Sequence, residues 1–295
     1  MKNILILFAL LSFSLCYAQE LKQTADDHFA NSEWQLAVDS YQKYLKKNKT
    51  DSSALYNTAF ALFQLKKYEP AIKYFDQAES NNFNNTFTTI GKTRALIGLK
   101  KHEEAVANLL AGAKNGVFAY MRLKNDPEFD PLRGNPGFEE ALELIKLNAY
   151  PCLSNQNYRH FDFWLGEWDV FVNGQKVGDN SITMANGGCA IHESYTTGMR
   201  NYSGQSINFY DPIDKKWHQH WVGSSGDVYN YIETDRADGM LQFESKFMTR
   251  SGQITMSRLT FTLNEDGTVR QLFESSTDEG ETWNSAFDGL YKKKN

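Results

Sequence analysis

His160-Phe161-Asp162-Phe163-Trp164-Leu165-Gly166-Glu167-Trp168-Asp169-Val170-Phe171-Val172 divides the chain into two kinds of sequence. Before it, apolar residues recur at helical spacing. From Trp168 onward they alternate with polar residues, and turn clusters punctuate the pattern at short intervals. The 295 residues, 41% of them hydrophobic, are enough for two cores, since a domain takes roughly 100 to 200 residues. The expected fold class is α + β multidomain: an all-α N-terminal half and an antiparallel up-and-down β-barrel after it.

The formal charge of -5 comes without basic runs, so the chain lacks the clustered Lys and Arg that nucleic acid binding requires. The first residues carry a compartment signal. Lys2 gives a positive start, Ile4 to Leu15 is an apolar run too short to span a bilayer, and Cys16-Tyr17-Ala18 precedes Gln19. Residues 1–18 therefore read as a signal peptide cleaved after Ala18, and the protein as exported, periplasmic or secreted. Leu15 fits poorly with lipidation at Cys16. No later run is long enough to span a membrane. In an oxidising compartment the two remaining cysteines, Cys152 and Cys189, are a candidate disulfide that would staple the incoming linker to the second domain.

The helical half repeats. Ala37, Ala71 and Ala105 lie 34 residues apart, as do Ala25, Ala59 and Thr93, and Tyr41, Phe75 and Leu109 follow in the same register. Tyr44, Ala78 and Gly112 come three residues further on. Small residues at fixed intervals let paired helices approach, while the larger ones fill the groove against the next pair. Residues 19–115 resemble three tetratricopeptide repeats (TPRs), although Lys49, Phe83 and Val117 stand where a closing proline is common. Residues 116–150 read as the cap that follows such arrays. It has a short helix over Val117 to Leu123, a break at Pro127, Pro131 and Pro136, and an amphipathic helix carrying Phe138, Ala141, Leu142, Ile145 and Leu147. A TPR array implies docking of a protein or peptide partner.

In residues 151–295, turns such as Asn173-Gly174, Ser224-Ser225-Gly226, Ser251-Gly252 and Asp278-Glu279-Gly280 separate roughly nine or ten strands. A meander of that length is best closed into a barrel, which removes its edges. Gly166-Glu167-Trp168 after the aromatic turn Phe161-Asp162-Phe163-Trp164 resembles the opening of lipocalin-like barrels. With Gly187-Gly188-Cys189-Ala190-Ile191-His192-Glu193 and Trp217-His218-Gln219-His220-Trp221-Val222, it resembles an uncharacterised lipocalin-like family of exported bacterial proteins. The resemblance implies a plug at one barrel end, a tryptophan packed against a late-strand arginine (Arg258 or Arg270), and a ligand cavity.

Trp168, Glu193, Gln219, Trp221, Arg258 and Gln271 are the candidate ligand-binding residues, for a small apolar or aromatic ligand. No cofactor or metal is expected. His218 and His220 share a strand face but show no third ligand, and no histidine follows His220 to hold haem. Ser276-Thr277-Asp278-Glu279-Gly280-Glu281-Thr282-Trp283 matches the Asp-box pattern and reads as a stabilised hairpin. With no catalytic signature, a non-catalytic binding protein is the leading reading. The alternatives are an enzyme, an isomerase or hydrolase using Glu193, Arg258 or Glu274 in the cavity, and a scaffold in an envelope complex. Packing separates them: a stuffed barrel means scaffold, an open apolar cavity means ligand, and a buried carboxylate converging with an arginine means catalysis.

Overall fold

The computed structural model describes residues 19–198, 201–248 and 252–294. The cleavage signal therefore lies outside the described residues. Two compact units are present, Met1–Ala149 and Tyr150–Asn295.

The first unit is helical, and its period is visible in the backbone. A helix over residues 19–30 (α1) is followed by α2 (Trp34–Leu45), α3 (Ser52–Gln64), α4 (Tyr68–Ser80), α5 (Asn85–Gly98) and α6 (His102–Lys114). Ser32, Lys66 and Lys100 join the helices within successive pairs, and all three are left-handed, with φ of 58°, 58° and 60°. In each turn the next amide reaches back over the helix end, as from Lys67 N–H to Leu62 O and Lys101 N–H to Leu96 O, both at 2.9 Å. The same backbone event thus recurs every 34 residues. Ala37, Ala71 and Ala105 are buried, as are Ala25, Ala59 and Thr93, and Tyr41, Phe75 and Leu109 fill the space between helices. Close approach also explains Gly112, where a Cβ would stand 2.6 Å from Thr89 Cγ2.

The cap begins later than the sequence pattern suggests. Gly116 turns left-handed and Val117 N–H bonds back to Gly112 O, so Val117 finishes the preceding helix and is buried in its core. Helix α7 is Tyr120–Asn125. The proline-rich stretch then forms a 3₁₀ helix, Pro127–Leu132, and α8 (Pro136–Ala149) packs Phe138, Ala141 and Ile145 toward the core beside α6. No described helix is long and apolar enough to cross a membrane.

The second unit is a closed antiparallel barrel of ten strands. These are β1 (Gly166–Val172), β2 (Gln175–Ala185), β3 (Ala190–Thr197), β4 (Ser203–Asp211), β5 (Lys216–Gly223), β6 (Val228–Ala237), β7 (Met240–Met248), β8 (Ile254–Leu263), β9 (Val269–Ser276) and β10 (Asn284–Lys293). Each pairs with the next in sequence, and β10 returns to β1, placing Trp168 opposite Lys293.

One end is filled by the aromatic turn. Phe161 and Trp164 stack at 4.9 Å, Phe161 meets Trp217 and Phe261 edge-on, and the Trp168 indole donates to Trp164 O at 2.8 Å. The segment leading into this plug is held to the barrel wall. Cys152 is disulfide-bonded to Cys189, with Cα atoms 5.0 Å apart. Gly187 and Gly188, both at positive φ, leave room there for Tyr150 and Leu153.

Candidate functional site

Strand alternation sends every second side chain into the barrel, and along a single strand the inward residues change role from plug to cavity. On β5, Trp217 packs against the plug whereas Trp221, two inward positions further with Gln219 between them, lines open space. On β3 the inward series is Ile191 in the core, Glu193 at the cavity floor and Tyr195 on its wall. On β8, Phe261 belongs to the plug and Leu259 to the wall. The result is a cavity of about 490 Å³.

Its floor is a connected polar chain. The Gln219 amide donates to Asn208 Oδ1 at 2.8 Å, the Asn208 amide to Ser206 Oγ at 2.9 Å, and Ser206 Oγ to Glu193 Oε2 at 2.6 Å. Asn180 donates to Glu193 Oε1 at 2.8 Å. Burial pushes the Glu193 carboxyl up to about 7, against the bonds from Ser206 and Asn180 that favour its ionised form. Gln271, also at the cavity, accepts from the Tyr291 hydroxyl.

Asp227 stands at a second position on the lining. Tyr202 donates to its Oδ2 at 2.8 Å, Trp221 Nε1 to the same oxygen at 3.1 Å, and Ser225 to Oδ1 at 2.6 Å. Burial raises its pKa, but these bonds outweigh that and leave it below the usual carboxylate range.

Four of the six candidate residues, Glu193, Gln219, Trp221 and Gln271, line this cavity together. The other two do not. Trp168 is fully buried in the aromatic core beneath it, with its N–H spent on Trp164. Arg258 alternates with the inward Ser257 and Leu259 and so points outward, where it pairs with Glu244 at 2.7 Å and lies 3.8 Å from the Trp283 ring centroid. Arg270 is likewise outside, paired with Asp288 at 2.7 Å. Neither arginine packs on Trp168, whose ring instead faces Lys293 Nζ at 5.4 Å. Glu274 lies on β9 with the parity of Arg270, not that of the inward Gln271 and Phe273. Arg258 and Glu274 stand opposite each other in the β8–β9 register on the outer wall, and Glu193, facing the cavity, is kept apart from both.

Tyr195, Tyr202, Asp227, Tyr229, Tyr231 and Phe273 also line the cavity, with Val172, Val177, Thr197, Leu259 and Phe287, and were missed by sequence reasoning. Three of these tyrosines had a signal, since Tyr195 shares parity with Glu193, and Tyr229 and Tyr231 share it with each other. Tyr202 and Asp227 sit outside regular strand and had none.

The histidines diverge. His218 Nε2 bonds Asp214 Oδ2 at 2.8 Å and His220 Nδ1 meets Asn230 Oδ1 at 2.5 Å, so they do not converge on one point. The Asp-box hairpin is tied down by its own side chains, with Gly280 N–H donating to Ser276 Oγ at 2.9 Å and Thr282 N–H to Asp278 Oδ1 at 3.0 Å.

The state of Glu193 is measurable through stability. Its folded pKa of about 7 lies above the ordinary 4.5, so the folded protein holds a proton that the unfolded chain releases in between. That contribution is complete below pH 4.5 and is lost as pH rises through about 7, by on the order of 3 kcal/mol. Glu193→Gln removes the titration. The variant is expected to match the parent near pH 4.5 and to exceed it at pH 8 in urea midpoint, followed by tryptophan emission. Parallel pH profiles for the two proteins would contradict the assignment.

No protein-family model matches the chain, and no curated protein matches it. Among solved structures it is similar to the TPR2B domain of yeast Sti1 in complex with pHsp70, at 23% identity and TM-score 0.32, over 43% of this chain and 94% of that one. It is similar to the TPR domain of Arabidopsis OM64, at 18% identity and TM-score 0.32, over 44% and 93%. A TPR-repeat protein from Bacteroides fragilis matches at 26% identity and TM-score 0.33, over 50% of this chain and 67% of that one.

Proposed function

We propose that this chain is an exported, non-catalytic binding protein whose lipocalin-like barrel holds a small apolar or aromatic molecule while its helical repeats dock a protein or peptide. The observation that carries the barrel half is the cavity itself. Its volume of about 490 Å³ falls in the range of small-molecule sites, its walls are largely aromatic, and a few polar groups are fixed at its floor. A pure scaffold would have filled that space, and the arginine that acid–base chemistry would need points outward. The Cys152–Cys189 bond suits an oxidising compartment and supports the reading of residues 1–18 as an export signal. Repeat arrays offer extended surfaces built from successive helices, which supports a docking role for the first unit.

Native mass spectrometry of the protein purified from its own envelope fraction tests the proposal. A small molecule is expected to stay bound in the native spectrum and to leave on mild denaturation. A bare mass, together with no binding of the neutral aromatic probe N-phenyl-1-naphthylamine, overturns the barrel half. A co-purifying protein that is lost when residues 19–115 are deleted would support the docking half.

A further inference from the structure

We propose that the molecule held in the barrel is an organic cation, an amine or quaternary ammonium on an apolar or aromatic body. This rests on the reading of the cavity as a small-molecule site and adds the charge and orientation of its occupant.

The charge follows from the lining. Glu193 and Asp227 are both carboxylates, and no Lys, Arg or His stands among the described lining residues. Several basic side chains of the barrel pair with acids away from the cavity: Arg258 with Glu244, Arg270 with Asp288, and Lys176 with Asp169 and Asp179. Two acids in a low-dielectric pocket focus a negative potential on whatever enters it. An anion is repelled, and above about pH 7, where Glu193 is ionised, a neutral molecule leaves that buried carboxylate without a counter-charge.

The walls agree with the charge. Tyr195, Tyr202, Trp221, Tyr229 and Tyr231 bring aromatic rings to the same space, and aromatic rings attract cations, most strongly where water is excluded. Each Glu193 oxygen takes one donor from the protein, from Asn180 or Ser206, and an ionised carboxyl oxygen can accept more than one.

The lining is also two-sided. The carboxylates, the tyrosines and Trp221 come from β3, the loop just before β4, β5, the β5–β6 turn and β6. Val172, Val177, Leu259, Phe273 and Phe287 come from β1, β2, β8, β9 and β10. A ligand with a cationic head and an apolar body satisfies both sides at once, head toward Glu193 and body toward Phe273 and Phe287.

Calorimetric titration of the full chain at pH 8 with three matched probes tests this. They are 4-phenylbutylamine, 4-phenyl-1-butanol and 4-phenylbutyrate. The amine is expected to bind about 10-fold or more tighter than the alcohol, and the carboxylate more weakly than either. Glu193→Gln and, separately, Asp227→Asn should each shrink the amine-to-alcohol ratio, by about 10-fold for the first and about 3-fold for the second. Asp227 sits in a turn, so its variant tests the charge even where Glu193→Gln fails to fold. If the alcohol binds as tightly as the amine, the cation inference is overturned while the small-ligand reading stands. If none of the three binds, both fall.

Discussion

Trp164→Ala should destabilise the barrel by about 3 to 5 kcal/mol, the cost of deleting a large aromatic side chain from a packed core. Trp164 is fully buried. It stacks on Phe161 at 4.9 Å, tilts onto Phe261 at 4.6 Å and meets Tyr291 edge-on at 6.3 Å. These partners come from the plug turn, β8 and β10, so one side chain joins the start of the barrel to its end. The prediction has an internal control. The Trp164 indole N–H finds no acceptor among the described residues, so Trp164→Phe removes an unsatisfied donor and keeps a ring on Phe161. Its loss should stay below about 2 kcal/mol. Urea denaturation followed by near-ultraviolet circular dichroism reads both variants. An alanine variant with the parent's midpoint would show that the plug is an ornament on the barrel and not part of its core.

Reducing the Cys152–Cys189 bond, or replacing both cysteines by serine, should cost on the order of 4 kcal/mol by the chain-entropy relation for the 37 residues it spans. The span contains the plug turn and all of β1 and β2, which are the parts that must be in place before the other strands can close around them. The effect should be confined to the second unit. Trp34 is the sole tryptophan of the first unit, so tryptophan emission reports chiefly on the barrel, and far-ultraviolet circular dichroism follows the helices. A common shift of both signals on reduction, or no shift in either, would refute this account.

The fold was legible in the sequence wherever geometry imposes a period. A 34-residue spacing of small residues survives because the helices that carry them must touch, and it reappears as left-handed turns at Ser32, Lys66 and Lys100. The turn clusters after Trp168 separate strands whose alternation is fixed by the pleat. Parity along those strands also decided the site. It puts Glu193, Gln219, Trp221 and Gln271 into the cavity, and it puts Arg258 outside, because Leu259 and Phe261 claim the interior. The arginine was drawn inward by resemblance to other barrels, although its own neighbours already pointed the other way. Asp227 and Tyr202 were illegible for a different reason. They lie where the period ends, and only the closed ring of strands carries them to one cavity. The late start of α7 has the same origin, a single left-handed residue, Gly116, that a hydrophobic pattern does not register.

The pairing of β1 with β10 also sets a timetable. Trp168 finds Lys293, and Phe171 finds Leu290, only when the entire second unit has been made, whereas each helix of the first unit packs against a neighbour already present. A nascent chain therefore completes its helical half early and holds the other half unfinished until its final strand arrives. The ring also has no spare edge. Losing β10 uncovers β1 and β9 together, so a chain clipped near its end is left with two open strands able to recruit other chains.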